Sequence, residues 1–117
     1  MNRMDLQERI KNLREDNDLK QATIADVLGI SQQVYSGYET GKHELPTRHL
    51  ALLADYYKVS TDYLLCRTNY PGPTDTLDAA FLKETSFGDF LANSALLNAS
   101  GRKAALDYVI FLKNKQK

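Results

Sequence analysis

Residues 19–41, LKQATIADVLGISQQVYSGYETG, constrain this chain more than any other stretch. Two short apolar patterns of helical period meet at Leu28-Gly29-Ile30-Ser31. Ile24, Ala25 and Leu28 form the inward side of a helix over residues 21–28. Gly29 then allows a sharp turn, because it takes positive φ without a Cβ penalty. Ser31 suits the N-cap of the next helix, where its hydroxyl can accept from an otherwise orphaned backbone N–H. Tyr35 and Tyr38, three apart, supply that helix's inward side, and each hydroxyl is expected to reach solvent or a partner. Ala25 sits where the two helices meet, and a larger side chain there would push them apart. The first exposed residues of the second helix are two amides, Gln32 and Gln33.

The flanking sequence supplies further helices. Asp5 and Glu8 have capping-box spacing. Leu6, Ile10 and Leu13 then give one apolar face, which the turn formers Asp16-Asn17-Asp18 end. Gly41 closes the third helix, and Pro46 suits the first turn of a fourth. Leu50, Leu53, Ala54 and Tyr57 line its inward side, Val59 plugs the following turn, and Ser60 caps a short fifth helix over residues 61–65 with Leu64 inward. Pro71-Gly72-Pro73 breaks any helix. The pattern predicts an all-α chain: a five-helix domain over residues 1–67, a linker over 68–76 and a helical C-terminal region over 77–117. In that region Phe81 and Leu82 are expected in a first helical stretch. Ser86 is expected to cap a second, with Phe87, Phe90 and Leu91 on one side. Asn98 to Gly101 read as a turn before a last helix from roughly Arg102 to Lys115.

Composition narrows the function. With 43% hydrophobic residues in 117, the chain can build a core, which argues against wholesale disorder. Net charge is zero, and residues 1–67 carry nine Lys/Arg against ten Asp/Glu. Any basic footprint for nucleic acid must therefore come from local charge placement and helix N-termini. A single cysteine, Cys66, excludes an internal disulfide framework. Its spacing from His43 and His49 matches no familiar zinc pattern, so neither metal nor cofactor is expected. No Ser-His-Asp arrangement, phosphate-cradling glycine loop or acidic pair points to an enzyme. The N-terminus lacks an apolar signal core, and no run reaches the ~18 apolar residues of a membrane span. A cytoplasmic chain without a membrane partner is expected.

Taken together, RIKNLRE, Gln21, Ala25 with Gly29 and Ile30-Ser31, YSGYETGK, and PTRHLALLADYYKVSTDYLL resemble the Cro/C1-type helix-turn-helix domain. That lambda-repressor-like fold is found in phage repressors and in Xre-like bacterial regulators. The resemblance covers residues 9–65, about half the chain. It implies a sequence-specific DNA-binding regulator, a repressor, bound to double-stranded DNA as a homodimer on a pseudo-palindromic operator. It implies that Gln21 clamps a DNA phosphate, helped by backbone N–H groups at the helix start. Gln32 and Gln33 lie at positions that enter the major groove, where an amide can pair with adenine in bidentate fashion. Outside this register they would read as solvated residues of an amphipathic helix. Ser31 and Ser36 share that side. Gly37 falls where the family often places a longer reading side chain, which narrows the expected readout. Lys42 is similar to the family's loop phosphate contact, and Thr47 is a further candidate. Lys20 replaces the frequent Ser or Thr cap, at a cost of ~1 kcal/mol. The resemblance also implies that Glu39 turns inward to pair with Arg14.

Tyr108 to Leu112, YVIFL, follow Ala104-Ala105-Leu106. On a helix this run is apolar on several sides and needs neighbours on several sides. A second subunit contacting Leu106, Val109, Ile110, Phe111 and Leu112 is the economical cover. Threading between the chain's own fifth and sixth helices is the alternative, and a short strand lacks an evident pairing partner. The C-terminal region could also receive a protein partner. A module of the same fold that binds protein instead of DNA, such as an antitoxin or anti-repressor partner, is the other function class the neutral charge allows.

Overall fold

The computed structural model describes residues 4–72 and 74–116. Pro73 of the expected linker lies outside them, as do residues 1–3 and 117 of the two expected regions. The chain divides into two compact units, Met1–Pro73 and Thr74–Lys117.

The first unit contains five helices: α1 (Leu6–Asp16), α2 (Gln21–Leu28), α3 (Gln32–Thr40), α4 (Thr47–Tyr57) and α5 (Thr61–Leu64). Local chemistry explains their ends. The Asp5 carboxylate accepts from the Glu8 N–H at 3.0 Å, and the Ser31 hydroxyl accepts from the Val34 N–H at 3.2 Å. Ser60 does the same for Tyr63 at 3.0 Å. Lys20 precedes α2 with cap-like backbone angles and no side-chain cap bond. Gly29 and Gly41 end α2 and α3 at φ of 71° and 83°, the left-handed region where a side chain is strained.

Each helix sends one fully buried side chain to a common centre: Ile10, Ile24, Tyr35, Leu53 and Leu64. Removing side chains of this size from water stabilises by ~1.5–3 kcal/mol each. Ala25 is buried at the close contact of α2 with α3. Around this core lie two contacts that join distant segments. The Arg9 guanidinium of α1 stacks 3.9 Å over the Tyr63 ring of α5. The Tyr38 hydroxyl of α3 meets Nδ1 of buried His49 on α4 at 3.0 Å. The Tyr35 hydroxyl departs from expectation: it is buried without a hydrogen-bond partner. The oxygens of nearby Glu39 are already held by Arg14 and Gln21. Burial above all pushes the Tyr35 phenol far above its ordinary range, and the neighbouring Glu39 charge adds to the shift.

The second unit differs from the expectation at its start. Asp75–Asp78 form a 3-10 turn. Phe81 and Leu82 lie in a hairpin strand, not a helix: β1 (Ala80–Leu82) pairs antiparallel with β2 (Thr85–Ser86). Lys83 makes the turn at φ 50°. The strand brings the Phe81 ring to 4.6 Å from Phe90, stacked, and 5.2 Å from Phe87, edge-on. That aromatic packing outweighs the helix preference of Leu-Lys-Glu. Ser86 and Asp89 then form a reciprocal capping box at the start of α6 (Phe87–Ala95). The last helix, α7 (Ala99–Lys115), begins three residues earlier than expected, since the Asn98 side chain accepts from the Gly101 N–H at 2.8 Å and caps it. The Asn98–Gly101 stretch is thus a helix start and not a turn.

Among the described residues of this unit none is buried. Its large apolar side chains are exposed by 37% at Leu77 and Phe90 and by as much as 84% at Leu96. No helix among the described residues is long and apolar enough to cross a membrane.

Candidate nucleic-acid interface

Helix α3 has two faces because of its sequence. Tyr35, Tyr38 and Glu39 are buried on one, while Ser31, Gln32 and Gln33 are exposed at its first turn. Ser31 spends one lone pair on the cap and keeps its O–H free to donate. Among the described residues Gln32 and Gln33 have no side-chain hydrogen-bond partner, and both are exposed, so their amide donors and acceptors are open to water. Ser36 is half-buried one turn on.

Beneath this turn lies a charged brace. Arg14 meets Glu39 in a side-by-side pair, with Nε donating to Oε2 at 2.7 Å and Nη2 to Oε1 at 3.0 Å. The Glu39 side chain is 3% exposed and that of Arg14 13%. Arg14 Nη1 also donates to the Leu19 carbonyl at 2.9 Å, in the loop between α1 and α2. Gln21 Nε2 donates to Glu39 Oε1 at 3.1 Å, from the first residue of α2. The network therefore ties α1, the loop, α2 and α3 together. Burial is the largest influence and disfavours the Glu39 charge, but the hydrogen bonds from Arg14 and Gln21 and the Arg14 charge together outweigh it and hold the carboxyl below its ordinary value.

Gln21 thus has a structural task that the sequence did not reveal. One amide hydrogen is committed inward, which leaves the second for an outside acceptor. Lys42 and Thr47 are exposed, in the loop after α3 and at the first residue of α4. Gly37 is different. It is buried, and the ring of His43 covers it: Cγ lies 2.8 Å and Nε2 3.0 Å from where a Cβ would sit, with Cδ2 nearer still. No side chain can leave the helix there without moving that ring, so Gly37 forms a floor under His43. The sequence pattern gave His43 no role beyond the zinc spacing it fails to match. It also missed the burial of His49, whose imidazole burial and neighbouring Arg48 lower in pKa. Among the described residues no group of three or more His, Cys, Asp or Glu could hold a metal ion.

In the second unit, Leu106, Val109, Ile110, Phe111 and Leu112 are all more than 40% exposed along α7. Leu77, Phe87, Leu91, Leu106 and Val109 border an apolar groove of about 570 Å³.

Comparison with known proteins places the first unit. A helix-turn-helix family model matches residues 10–64. An HTH-type transcriptional regulator of Bacillus subtilis, YobD, is 36% identical over 66 residues, covering 56% of this chain and 59% of its own length. The chain spans between 50% and 59% of the length of the curated relatives it matches. The P22 c2 repressor, solved in complex with the synthetic operator 9T, superposes with a TM-score of 0.51 at 28% identity, over 54% of this chain and 96% of that one. A transcriptional regulator from Listeria innocua shares the fold over 93% of this chain and 92% of its own, with a TM-score of 0.52 at 19% identity. Residues 10–64 are therefore a helix-turn-helix domain of the Cro/C1-like, Xre class of transcriptional regulators.

Proposed function

We propose that the chain is a sequence-specific DNA-binding regulator, a repressor, that acts as a homodimer on a pseudo-palindromic operator. One observation carries this reading: the first turn of α3 presents Gln32 and Gln33 to water while its opposite face is anchored in the core. Such a helix can enter a major groove without rearrangement, and two amides match the donor–acceptor pair of adenine. Gln21, Lys42 and Thr47 would hold phosphates on either side, with Ser31 and Ser36 as short polar contacts. The similar P22 c2 repressor was solved in complex with a synthetic operator, which supports a DNA-binding role for this fold here.

The homodimer rests on the second unit. Exposed Leu106, Val109, Ile110, Phe111 and Leu112 give α7 an apolar surface that a second copy would cover. Two α3 helices would then read half-sites about one helical turn apart, ~34 Å.

Selection of bound duplexes from a random pool tests this directly. A two-fold motif with that spacing is expected, with affinity falling steeply as salt rises. Gln32→Ala and Gln33→Ala should lose the motif and keep the helical circular-dichroism spectrum. The near balance of charge in residues 1–67 favours a second reading, a protein-binding module of the same fold. Its signature would be no recovered motif and salt-independent behaviour with intact oligomers.

A further inference from the structure

We propose that His43 determines part of the DNA specificity, its imidazole standing in for the side chain that Gly37 lacks. This rests on the DNA-binding reading above. Gly37 lies four residues after Gln33, one turn further along the same side of α3. The space a side chain at 37 would need is filled by the His43 ring, which arrives from the loop after the helix. The backbone holds it there. The His43 N–H donates to the Gly37 carbonyl at 3.0 Å. The Thr40 hydroxyl donates to the same carbonyl at 3.3 Å and accepts from the Lys42 N–H at 3.4 Å. His43 itself is exposed.

The arrangement continues the row begun by Gln33 with a flat ring on a fixed stalk. A ring N–H can donate to the N7 or O6 acceptors that purines present in the major groove. A loop residue thereby does what a helix residue would otherwise do, and the pairing of Gly37 with His43 acquires a purpose that neither residue has alone.

The test is selection from a random duplex pool by the full chain and three variants: His43→Ala, Gly37→Ala and the double variant. Circular dichroism checks the fold of each, and His43→Ala, at an exposed position, should keep it. His43→Ala is expected to relax preference at one base pair in each half-site by about fivefold or more, with the rest of the motif intact. Gly37→Ala, which must push the ring away, should relax the same base pair. The double variant should add nothing to either. An unchanged motif for His43→Ala overturns the proposal. So does a uniform loss over all sequences with a shallower salt slope, which would mark a phosphate contact. Relaxation at different base pairs in the two single variants also overturns it, because the ring and the glycine would then not share a place. Failure of the unmodified chain to select any motif would overturn the DNA-binding reading as well, and so is distinguishable from failure of the His43 assignment alone.

Discussion

Removing Arg14 isolates the brace beneath α3, and its cost follows from the geometry. In Arg14→Ala the Glu39 carboxylate, 3% exposed, keeps a single side-chain donor, Gln21. A buried carboxylate in that state either stays charged without compensation or takes up a proton. Protonation at pH 7, about 2.5 units above the ordinary 4.5, costs about 3.4 kcal/mol at 1.36 kcal/mol per unit. This limits the charge penalty. Loss of the Arg14 bond to the Leu19 carbonyl and of its packed stem adds to it. The total agrees with the ~3–5 kcal/mol typical of breaking a buried pair from one side. A domain of this size has ~3–10 kcal/mol of net stability, so the melting temperature should fall by at least ~12 °C.

The variant should also show an inverted pH response. With Arg14 gone, the folded-state pKa of Glu39 rises above the unfolded one, so the folded state binds the extra proton. Stability then rises as pH falls from 8 to 6.5, by as much as ~1.4 kcal/mol per unit. In the unmodified chain Glu39 contributes no slope in that window, and His49 contributes one of the opposite sign, because its unfolded imidazole protonates before the folded one. Urea titration followed through amide resonances of α1 to α5 reads this unit alone. Replacing both partners, as Arg14→Met with Glu39→Leu, should recover a large part of the loss, because no charge is left stranded. A cost below ~1 kcal/mol, with no gain on acidification, would refute the reasoning: the pair would then behave as a solvent-exposed one.

Lys20→Ser adds the cap that α2 lacks and should raise stability by ~1 kcal/mol, seen as a higher urea midpoint with an unchanged slope. In the unmodified chain, the His49 contribution to stability should be constant well above pH 6.5 and be lost as pH falls through that value. There the unfolded chain protonates His49 before the folded chain, whose pKa is depressed. A second fall should begin below pH 4.5, where unfolded Glu39 takes up its proton, and finish once pH passes the lowered folded-state value. Urea midpoints across pH 8 to 3 check both, and His49→Gln should remove the first. Leu106→Asp on α7 should convert dimer to monomer in sedimentation equilibrium. Losing ~1.5–3 kcal/mol of burial from each of two copies corresponds to a dissociation constant raised about a hundredfold or more.

The first unit was legible because its signals agree at several levels. Caps at Asp5, Ser31 and Ser60, glycines at 29 and 41, and helical spacing of Ile10, Ile24, Tyr35, Leu53 and Leu64 all specify the same five helices. The exposed amides followed from that register. Less legible were contacts set by distance in space. Nothing local says that Gln21 turns toward Glu39, that His49 meets Tyr38, or that His43 folds back over Gly37 six residues earlier. The hairpin at Ala80–Ser86 was missed for a similar reason. Phe81 pairs its ring with residues of α6, and that packing overrides what the local sequence prefers. Asn98 was misread as a turn former because the same side chain serves turns and helix starts equally well.

The two units pose one problem when their deficits are set side by side. Residues 1–67 lack the positive charge that lets a small domain hold DNA unaided. Residues 74–116 have apolar side chains and bury none of them fully among the described residues. Self-association would resolve both. It would cover α7, and it would turn the second reader's binding into an intramolecular event at an effective concentration up to the millimolar range. A weak domain made bivalent discriminates more sharply than a strongly basic one, because less of its affinity comes from sequence-independent phosphate attraction. On this reading, charge added to the α3 surface would tighten binding to all DNA and blunt selectivity, and disrupting α7 would abolish operator binding while leaving each α3 intact. The neutral composition would then be part of the design of a discriminating reader, with association supplying the affinity that charge does not.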